Sequence, residues 1–489
     1  MPTQIIWKIA IIVQQDGEHN FEYADLELAI LSQPRFKNIK YKIFYYDQVS
    51  KTRSVRKVSK DSSGAPVIIT ELQPSPVDLY DPGTLTGFLK DWFTPEGGLT
   101  ERYMVIIWAH GAGLGYAASE VTEDAVPNYF RDLDAEAFGP KRQTMRHSYN
   151  DAMRQLTFLK SHQSWKSQPI EHLKKMLYND GVELAVDDLK MLAERLKLIT
   201  AADLNTIFTN SLPAGKKVEV LITNTCYTQM LETGYALRSK VDLLVSPETT
   251  IPFTGFNYNA LFRLMEQHPQ LEQKEIAENI RDSFDDKYES EPFRTNFRIM
   301  RPFAASLLGE VSFSANDLNK YDLFIKNFFS DLAERFLRTL DEDSRDELLW
   351  ITIRKAREQC LDVAPLTELG QRQYWIIDLT HFIRVLSKLC QRQNIPGWDE
   401  MLQNLEKQTD SIRIAWYKAK GASVYSMNRP SISPYFLSVF FPGRKDSDLN
   451  DALLNIYKAD STDTEFPLKD TKWPEFVIKW SEGFTIFDR

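Results

Sequence analysis

Cysteine is scarce in this chain: Cys226, Cys360 and Cys390 are the only three among 489 residues. So odd and sparse a set cannot build a disulfide framework, and the thiols are expected to be free, as in a reducing compartment. Nowhere does the sequence hold the roughly 18 consecutive apolar residues that a membrane-spanning helix needs, so no span is expected. Basic residues are in deficit, 59 Lys and Arg against 68 Asp and Glu, for a formal net charge of -9. That balance leaves no basic stripe of the kind that follows a phosphate backbone, and nucleic acid is not an expected partner. Internal repeats and low-complexity tracts are missing as well. The apolar start, Ile5 to Val13, stops at Gln14-Gln15-Asp16 without a small-residue cleavage pattern. It reads as a first strand, and the expected location is cytoplasmic.

What is present is ordinary globular composition, 43% hydrophobic and 26% charged, enough for a large folded core. Length alone suggests about three domains. Strand-like runs cover Ile5 to Val13 and Lys40 to Tyr46, with a hairpin predicted from Arg53 to Val58 and Val67 to Glu71. A helix is predicted from Asp81 to Trp92, where Asp81-Pro82 supplies a start signal. Tyr103–Ala109 and Val218–Ile222 are almost continuously apolar, the mark of strands covered on both faces in a parallel sheet. A helix from Tyr227 to Ser239 and a strand from Val241 to Val245 complete a βαβ unit after the second run.

These runs place an α/β core in residues 1–117 and 217–258, split by a polar, helical insertion at 118–216. Within the insertion, helices are expected at Met145–Leu159, Glu171–Tyr178 and Val186–Leu196. From 259 to 420 the periodicity is that of long amphipathic helices: Leu318–Leu340, Arg345–Cys360, Trp375–Cys390 and Trp398–Lys418. The last part, 421–489, offers a strand within Pro434–Pro442 and a helix from Trp473 to Trp480 whose aromatic face packs on the rest. The fold class is therefore a mostly parallel α/β sheet flanked by helices, with a helical insertion and a helical carboxyl-terminal region.

In open α/β sheets functional groups gather at the carboxyl ends of the strands. His110 follows the strand ending at Ala109, inside His110-Gly-Ala-Gly113, and Cys226 follows the strand ending at Ile222 by a few residues. If the two strands are neighbours, both side chains meet in one crevice. The glycines allow a tight turn and leave an amide free to face a substrate oxygen. A cysteine at a helix start is expected to be acidified by the helix dipole. A thiolate beside an imidazole is the equipment of covalent acyl transfer. From spacing alone, a core cysteine and a structural strand-end histidine remain the alternatives.

The wider pattern resembles the clostripain family of cysteine peptidases, in the caspase-like clan. Asp16–Asn20 resembles that family's acidic loop after the first strand, and Tyr103–Gly111 its histidine strand. Thr225–Leu237 resembles its nucleophile helix, with Met230, Glu232 and Tyr235 at the expected offsets. Asp242–Glu248 and Pro252–Tyr258 resemble the following strand and specificity loop, while Ser312–Asp317, Trp375–Asp378, Ser438–Pro442 and Trp473 resemble its carboxyl-terminal region. The resemblance implies a caspase-like fold and an endopeptidase acting on protein or peptide substrates. Cys226 would be the nucleophile, His110 the acid/base, and the amides of Gly111 and Cys226 the oxyanion hole.

Three departures qualify what the resemblance implies. The acidic pair that would prepare a pocket for Arg or Lys is replaced by Asn224 and Asn257, so cleavage after basic residues is not expected; Asn224 and Phe256 are candidates for a neutral pocket, Asn224 having a helix cap as its alternative role. Glu248 is a nearby acid that reads best as part of a structural loop. Second, the insertion between the catalytic residues suggests a zymogen activated by a cut there, with Gly139–Gln143 and Pro213–Lys217 as exposed candidates and ordinary solvated loops as the alternative. An activating protease or an inhibitory protein is then an expected partner. Third, a cytoplasmic location departs from the export common in the family. No catalytic metal or cofactor is expected, a structural calcium ion being what the resemblance allows. The rival classes are a non-catalytic regulator keeping the same fold, and a phosphate-binding hydrolase. The second is disfavoured because His110–Gly115 lacks a P-loop lysine.

Overall fold

The two segments whose apolar residues run on without alternation form the middle of a sheet. β5 (Thr100–Trp108) and β8 (Val218–Asn224) are buried along almost their whole length, as strands covered on both faces must be. The computed structural model describes residues 4–15, 36–47, 52–60, 66–76, 82–109, 115–116, 199–225, 227–249, 251, 255–289, 311–340, 347–360, 363, 376–418, 436–441 and 468–487. β1 (Ile5–Gln15) pairs in parallel with β5 and with β2 (Ile39–Asp47), and β8 pairs in parallel with β5 and with β9 (Val241–Pro247). Antiparallel strands extend both edges: β3 (Thr52–Lys60) and β4 (Pro66–Pro76) on one, β10 (Ser312–Asp317) and β12 (Arg413–Lys418) on the other. Among the described residues the sheet has nine strands in the order β12-β10-β9-β8-β5-β1-β2-β3-β4.

Strand alternation sorts the core into two apolar layers. Ala10, Ile12, Val105, Ile107 and Leu221 face one of them, and Ile11, Met104, Ile106, Val220 and Ile222 the other. Leu85 and Leu89 of α1 (Pro82–Trp92) join the first layer with Leu204 and Phe208 of α2 (Ala201–Ser211) and Leu231 of α3 (Leu231–Leu237). α4 (Tyr258–Gln267) and α5 (Gln273–Glu289) cover the second through Leu261, Phe262, Ile276 and Ile280. Full burial of one such side chain is worth about 1.5–3 kcal/mol. Among the described residues no helix is long and apolar enough to cross a membrane.

The helices expected between 145 and 196 lie outside the described residues. The ends of that region do meet: β6 (Gly115–Tyr116) pairs antiparallel with β7 (Ile199–Thr200), which leads directly into α2. Residues 201–211, read from sequence as the end of the insertion, thus pack on α1 in the core.

In the carboxyl-terminal part, the helix predicted at 318–340 is a composite of a 3-10 turn (Leu318–Lys320), α6 (Tyr321–Phe324), a π-helical stretch (Ile325–Phe329) and α7 (Ser330–Thr339). α8 (Glu347–Gln359) agrees with expectation. Two other readings are corrected. Ile376–Asp378, expected as the first turn of a helix, is β11, which pairs antiparallel with β13 (Ser438–Phe440), and α9 begins only at Leu379 (Leu379–Arg392). The helix predicted to Lys418 ends as α10 (Asp399–Ile412), and the chain continues as β12 because β10 offers it an antiparallel partner. The nominally helical region thus supplies two strands of the main sheet. α11 (Trp473–Phe487) packs the expected aromatic face, with Trp473, Phe476 and Trp480 buried against Phe441.

Candidate active site

β5 and β8 are neighbours, and they end level. The last pair of their ladder is Trp108↔Asn224, and the Ala109 amide donates to the Asn224 carbonyl at 3.5 Å. Two residues beyond each member of that pair stand His110 and Cys226. Both, together with Gly111, lie outside the described residues; the segments on either side of Cys226 are described in full.

The chain around Cys226 is held by hydroxyls from below. Thr223 Oγ1 bonds Thr228 Oγ1 at 3.0 Å and Ser246 Oγ at 2.6 Å, Thr228 Oγ1 also meets Ser246 Oγ at 2.7 Å and Thr225 Oγ1 at 2.9 Å, and all four side chains are buried. Such a mutually satisfied cluster fixes the loop against the ends of β8 and β9. Tyr227 takes φ +60, a conformation L-residues adopt at a cost and one common at functional turns. Its amide donates to Thr249 O at 3.0 Å, and the Gln229 amide donates to Pro247 O at 2.9 Å.

These bonds correct the helix expected from Tyr227. Residues 228–230 are drawn out beside β9 and β13, Met230 is extended (φ -103, ψ 150), and α3 starts only at Leu231. The helix thus begins five residues after Cys226 in sequence, and a dipole effect confined to the first turn does not reach that far.

A second layer of support comes from far along the chain. Ser438 donates to Gln229 O through both its amide (3.1 Å) and its hydroxyl (3.0 Å). Two buried carboxyls hold the same strand: Glu232 Oε1 accepts from Phe440 N at 2.8 Å, and Glu248 Oε2 accepts from Phe436 N at 2.8 Å. Burial, reinforced by the Asp378 carboxyl, raises Glu248 well above the ordinary carboxylate range, against the pull of the Phe436 amide and Arg413. Glu248 is thus structural, as its loop position suggested, but Asp378 was read only as part of a motif. The one local signal for it, an Asp before a helix start, explains its cap bond from His381 N (2.8 Å) and nothing more.

The three substrate-binding candidates separate. Asn224 is 3% exposed at the end of β8, a strand terminus and not a helix cap, and its side chain lies against Gly255. Asn257 is the cap instead: Oδ1 accepts from Ala260 N and Nδ2 donates to Ser283 O, each at 3.1 Å. With both ends of its amide engaged in the fold, it is withdrawn as a pocket residue. Phe256 is withdrawn too, because its ring is enclosed by Phe313 (4.9 Å), Phe284 (5.9 Å) and Tyr258 (6.4 Å). The charged side chain bonded to this loop is Lys287, whose Nζ donates to Phe256 O at 3.2 Å. Among the described residues no cluster of three His, Cys, Asp or Glu side chains is placed to hold a metal ion. Cys360 and Cys390 are buried, and burial pushes the Cys390 thiol up to about 11.

A parallel sheet with two central strands ending level, and a bonded loop carrying a cysteine at that edge, is a frame for thiol hydrolysis. Residues 193–480 match the model of the clostripain family; the chain belongs to this family and is a cysteine peptidase, with peptides or proteins as substrates. No curated protein matches the sequence. Among solved structures, a secreted C11 cysteine protease from Bacteroides thetaiotaomicron, in complex with an irreversible peptide inhibitor, is 14% identical over 91% of this chain and 96% of its own, with a TM-score of 0.51. An inactive zymogen C11 protease from Parabacteroides distasonis is 14% identical over 98% of this chain and 99% of its own, with a TM-score of 0.52. They share the caspase-like fold. The cytoplasmic location expected from sequence is not supported, because the similar Bacteroides protease is a secreted one.

Proposed function

We propose that this peptidase is an endopeptidase working through a His110–Cys226 dyad and made as a zymogen. The observation that carries the dyad is the level ending of β5 and β8 at Trp108↔Asn224, which starts both two-residue leads from one point at the carboxyl edge of the sheet. Cys226 Sγ attacks the scissile carbonyl carbon; the C–N bond breaks as His110 gives a proton to the leaving amine, and the acyl group stays on sulfur as a thioester. Water then attacks the thioester while His110 takes its proton, releasing the acid and the thiolate. The amides of Gly111 and Cys226 hold the oxyanion, a role worth about 3 kcal/mol per donor.

The pocket beside Cys226 is neutral, lined by Asn224, and Lys287 of α5, bonded to the neighbouring loop at Phe256 O, disfavours a second cation, so cleavage is expected after uncharged residues. Activation is by a cut between His110 and Cys226. Gly139–Gln143 lies outside the described residues. Pro213–Lys217 contains an exposed turn closed by a bond from Lys216 N to Pro213 O at 3.0 Å. The zymogen state of the similar Parabacteroides protease supports this reading. A structural calcium ion is the one metal this reading admits, with no part in the chemistry.

The test is cleavage of a diverse peptide library before and after limited proteolysis, with Cys226→Ala as control and thiol labelling of both. Turnover that appears on nicking, is lost in Cys226→Ala and spares basic residues is the expected result. No turnover in any state, with Cys226 labelling no faster than Cys360 and Cys390, would replace the dyad by a non-catalytic regulator.

A further inference from the structure

We infer that Glu248 and Asp378 are positioning residues for the nucleophile loop: the two carboxyls form one hydrogen-bonded pair that locks together the chain segments from which residues 225–230 hang. The inference rests on Cys226 being the nucleophile, and its test separates the two claims.

The geometry is that of a cross-link. Glu248 lies between Pro247 and Thr249, whose carbonyls receive the Gln229 and Tyr227 amides, so the strand end carrying Glu248 grips the loop on one side. Asp378 pairs in register with Ser438, whose amide and hydroxyl grip Gln229 O from the other side. The Glu248 carboxyl bridges the two grips, through Oε2 to the Phe436 amide and through its side-chain hydrogen bond to Asp378.

Phe436 needs such a hold. Its φ is +81, a conformation that non-glycine residues rarely adopt without over-determined surroundings. Besides Glu248, the Ser314 hydroxyl donates to its carbonyl at 2.8 Å and the Trp416 ring stacks on it at 4.8 Å. Release of the Glu248 bond frees the turn that leads into Ser438.

Both carboxyls are 0% exposed, and Glu248 Oε1 has no donor to accept from. Asp378 Oδ1 already accepts from His381 N, so Asp378 is the ionised partner and Glu248 carries the proton, donated from Oε1. Arg413 of β12 attracts the charge from the sheet side, and Glu232 of α3 is engaged at Phe440. With the proton removed, two adjacent buried carboxylates repel and the cross-link opens.

The sign of the pH effect follows. Glu248 is raised in the folded state, so its contribution to stability is fully present below the unfolded carboxylate value of about 4.3 and is lost as pH rises toward the folded value. Glu248→Gln copies the protonated acid, its carbonyl accepting from Phe436 N and its amide donating to Asp378, but it cannot titrate. The Tm of Glu248→Gln minus that of the wild type is therefore expected to widen in favour of Gln as pH rises above the unfolded carboxylate value of about 4.3. Asp378→Asn keeps the cap and supplies its own donor, so Glu248 ionises and the same Tm dependence disappears.

The experiment uses the full-length enzyme, wild type and Glu248→Gln, Glu248→Ala and Asp378→Asn. It measures Tm against pH, kcat and KM on a peptide substrate, and the alkylation rate of Cys226 by iodoacetamide. Expected are a wild-type kcat in Glu248→Gln and Asp378→Asn, and a loss on the order of 100-fold in kcat, with KM little changed, in Glu248→Ala. A Tm difference flat with pH, or Glu248→Gln falling as far as Glu248→Ala, overturns the pair. If Glu248→Ala does not fold, the other two variants decide. If the wild type cleaves nothing, the dyad reading has failed separately, and the Tm dependence together with the Cys226 alkylation rates still decides whether the pair holds the loop.

Discussion

Gly255→Ala probes the contact between Gly255 and Asn224. Gly255 has φ +60, and a Cβ there would stand 2.2 Å from Asn224 Oδ1, 2.5 Å from its Cγ and 2.7 Å from its Nδ2. Two costs follow. An L-residue in the left-handed region costs about 1–2 kcal/mol, and overpacking of a buried contact adds roughly 1–3 kcal/mol, for a loss of about 2–5 kcal/mol in all. Gly215→Ala separates them, because Gly215 has φ +73 with nothing within 4 Å of its Cβ position; it is expected to lose only the backbone part. Asn224 stands two residues before Cys226, so the displaced amide shifts the nucleophile as well, and a shift near 1 Å reduces kcat/KM by on the order of 100-fold. Urea unfolding and peptide cleavage are measured on wild type, Gly215→Ala, Gly255→Ala, Asn224→Ala and the Gly255→Ala/Asn224→Ala double variant. Asn224→Ala removes the three clashing atoms, so the double variant is expected to be more stable than the sum of the single changes by roughly 1–3 kcal/mol. Strict additivity, or a Gly255→Ala loss no larger than that of Gly215→Ala, would refute the contact.

At the opposite end of the strands, Lys8 is 2% exposed, 3.1 Å from Glu101 Oε1, and donates to Thr94 O at 2.6 Å; Lys8→Met leaves a buried carboxylate without its counter-ion and is expected to lose about 3–5 kcal/mol in urea unfolding, with kcat/KM unchanged. Asn257→Ala removes the cap of α4 and is expected to lose about 1 kcal/mol of stability without altering residue preference in a peptide-library cleavage assay; an altered preference would return Asn257 to the pocket.

Where a segment's own composition decides its structure, the sequence was a sufficient guide. Tyr103–Ala109 and Val218–Ile222 are too uniformly apolar to be anything but strands enclosed on both sides, and the two strands are neighbours in the sheet, their ladder ending at Trp108↔Asn224. Where a partner decides, it was not. Ile376–Asp378 fits the apolar stripe of the helix that follows, and only its pairing with Ser438–Phe440 makes it a strand. Arg413–Lys418 continues the periodicity of α10 until β10 captures it. Tyr227–Met230 has helical composition, but bonds to Pro247, Thr249 and Ser438 pull it straight. In each case tertiary hydrogen bonds outweigh local propensity differences, which are at most about 0.7 kcal/mol per ordinary residue.

The same distinction explains why the support of the site stayed hidden while its reactive groups did not. Glu248 reads as a loop acid and Asp378 as one residue of a motif inside the helix predicted from Trp375, and neither segment reports the other. The family match spans 193–480, so it holds Cys226, Glu248, Asp378 and Phe436, whereas the strand leading to His110 stands outside it. What joins the two halves is the β5–β8 ladder and its last pair, Trp108↔Asn224. The insertion does not strain that ladder, because its stem closes on itself where Gly115 and Tyr116 pair with Thr200 and Ile199. Lengthening a loop whose ends are already fixed together adds only slowly to its closure entropy. A long segment can therefore separate β5 from β8 in sequence without separating them in the sheet.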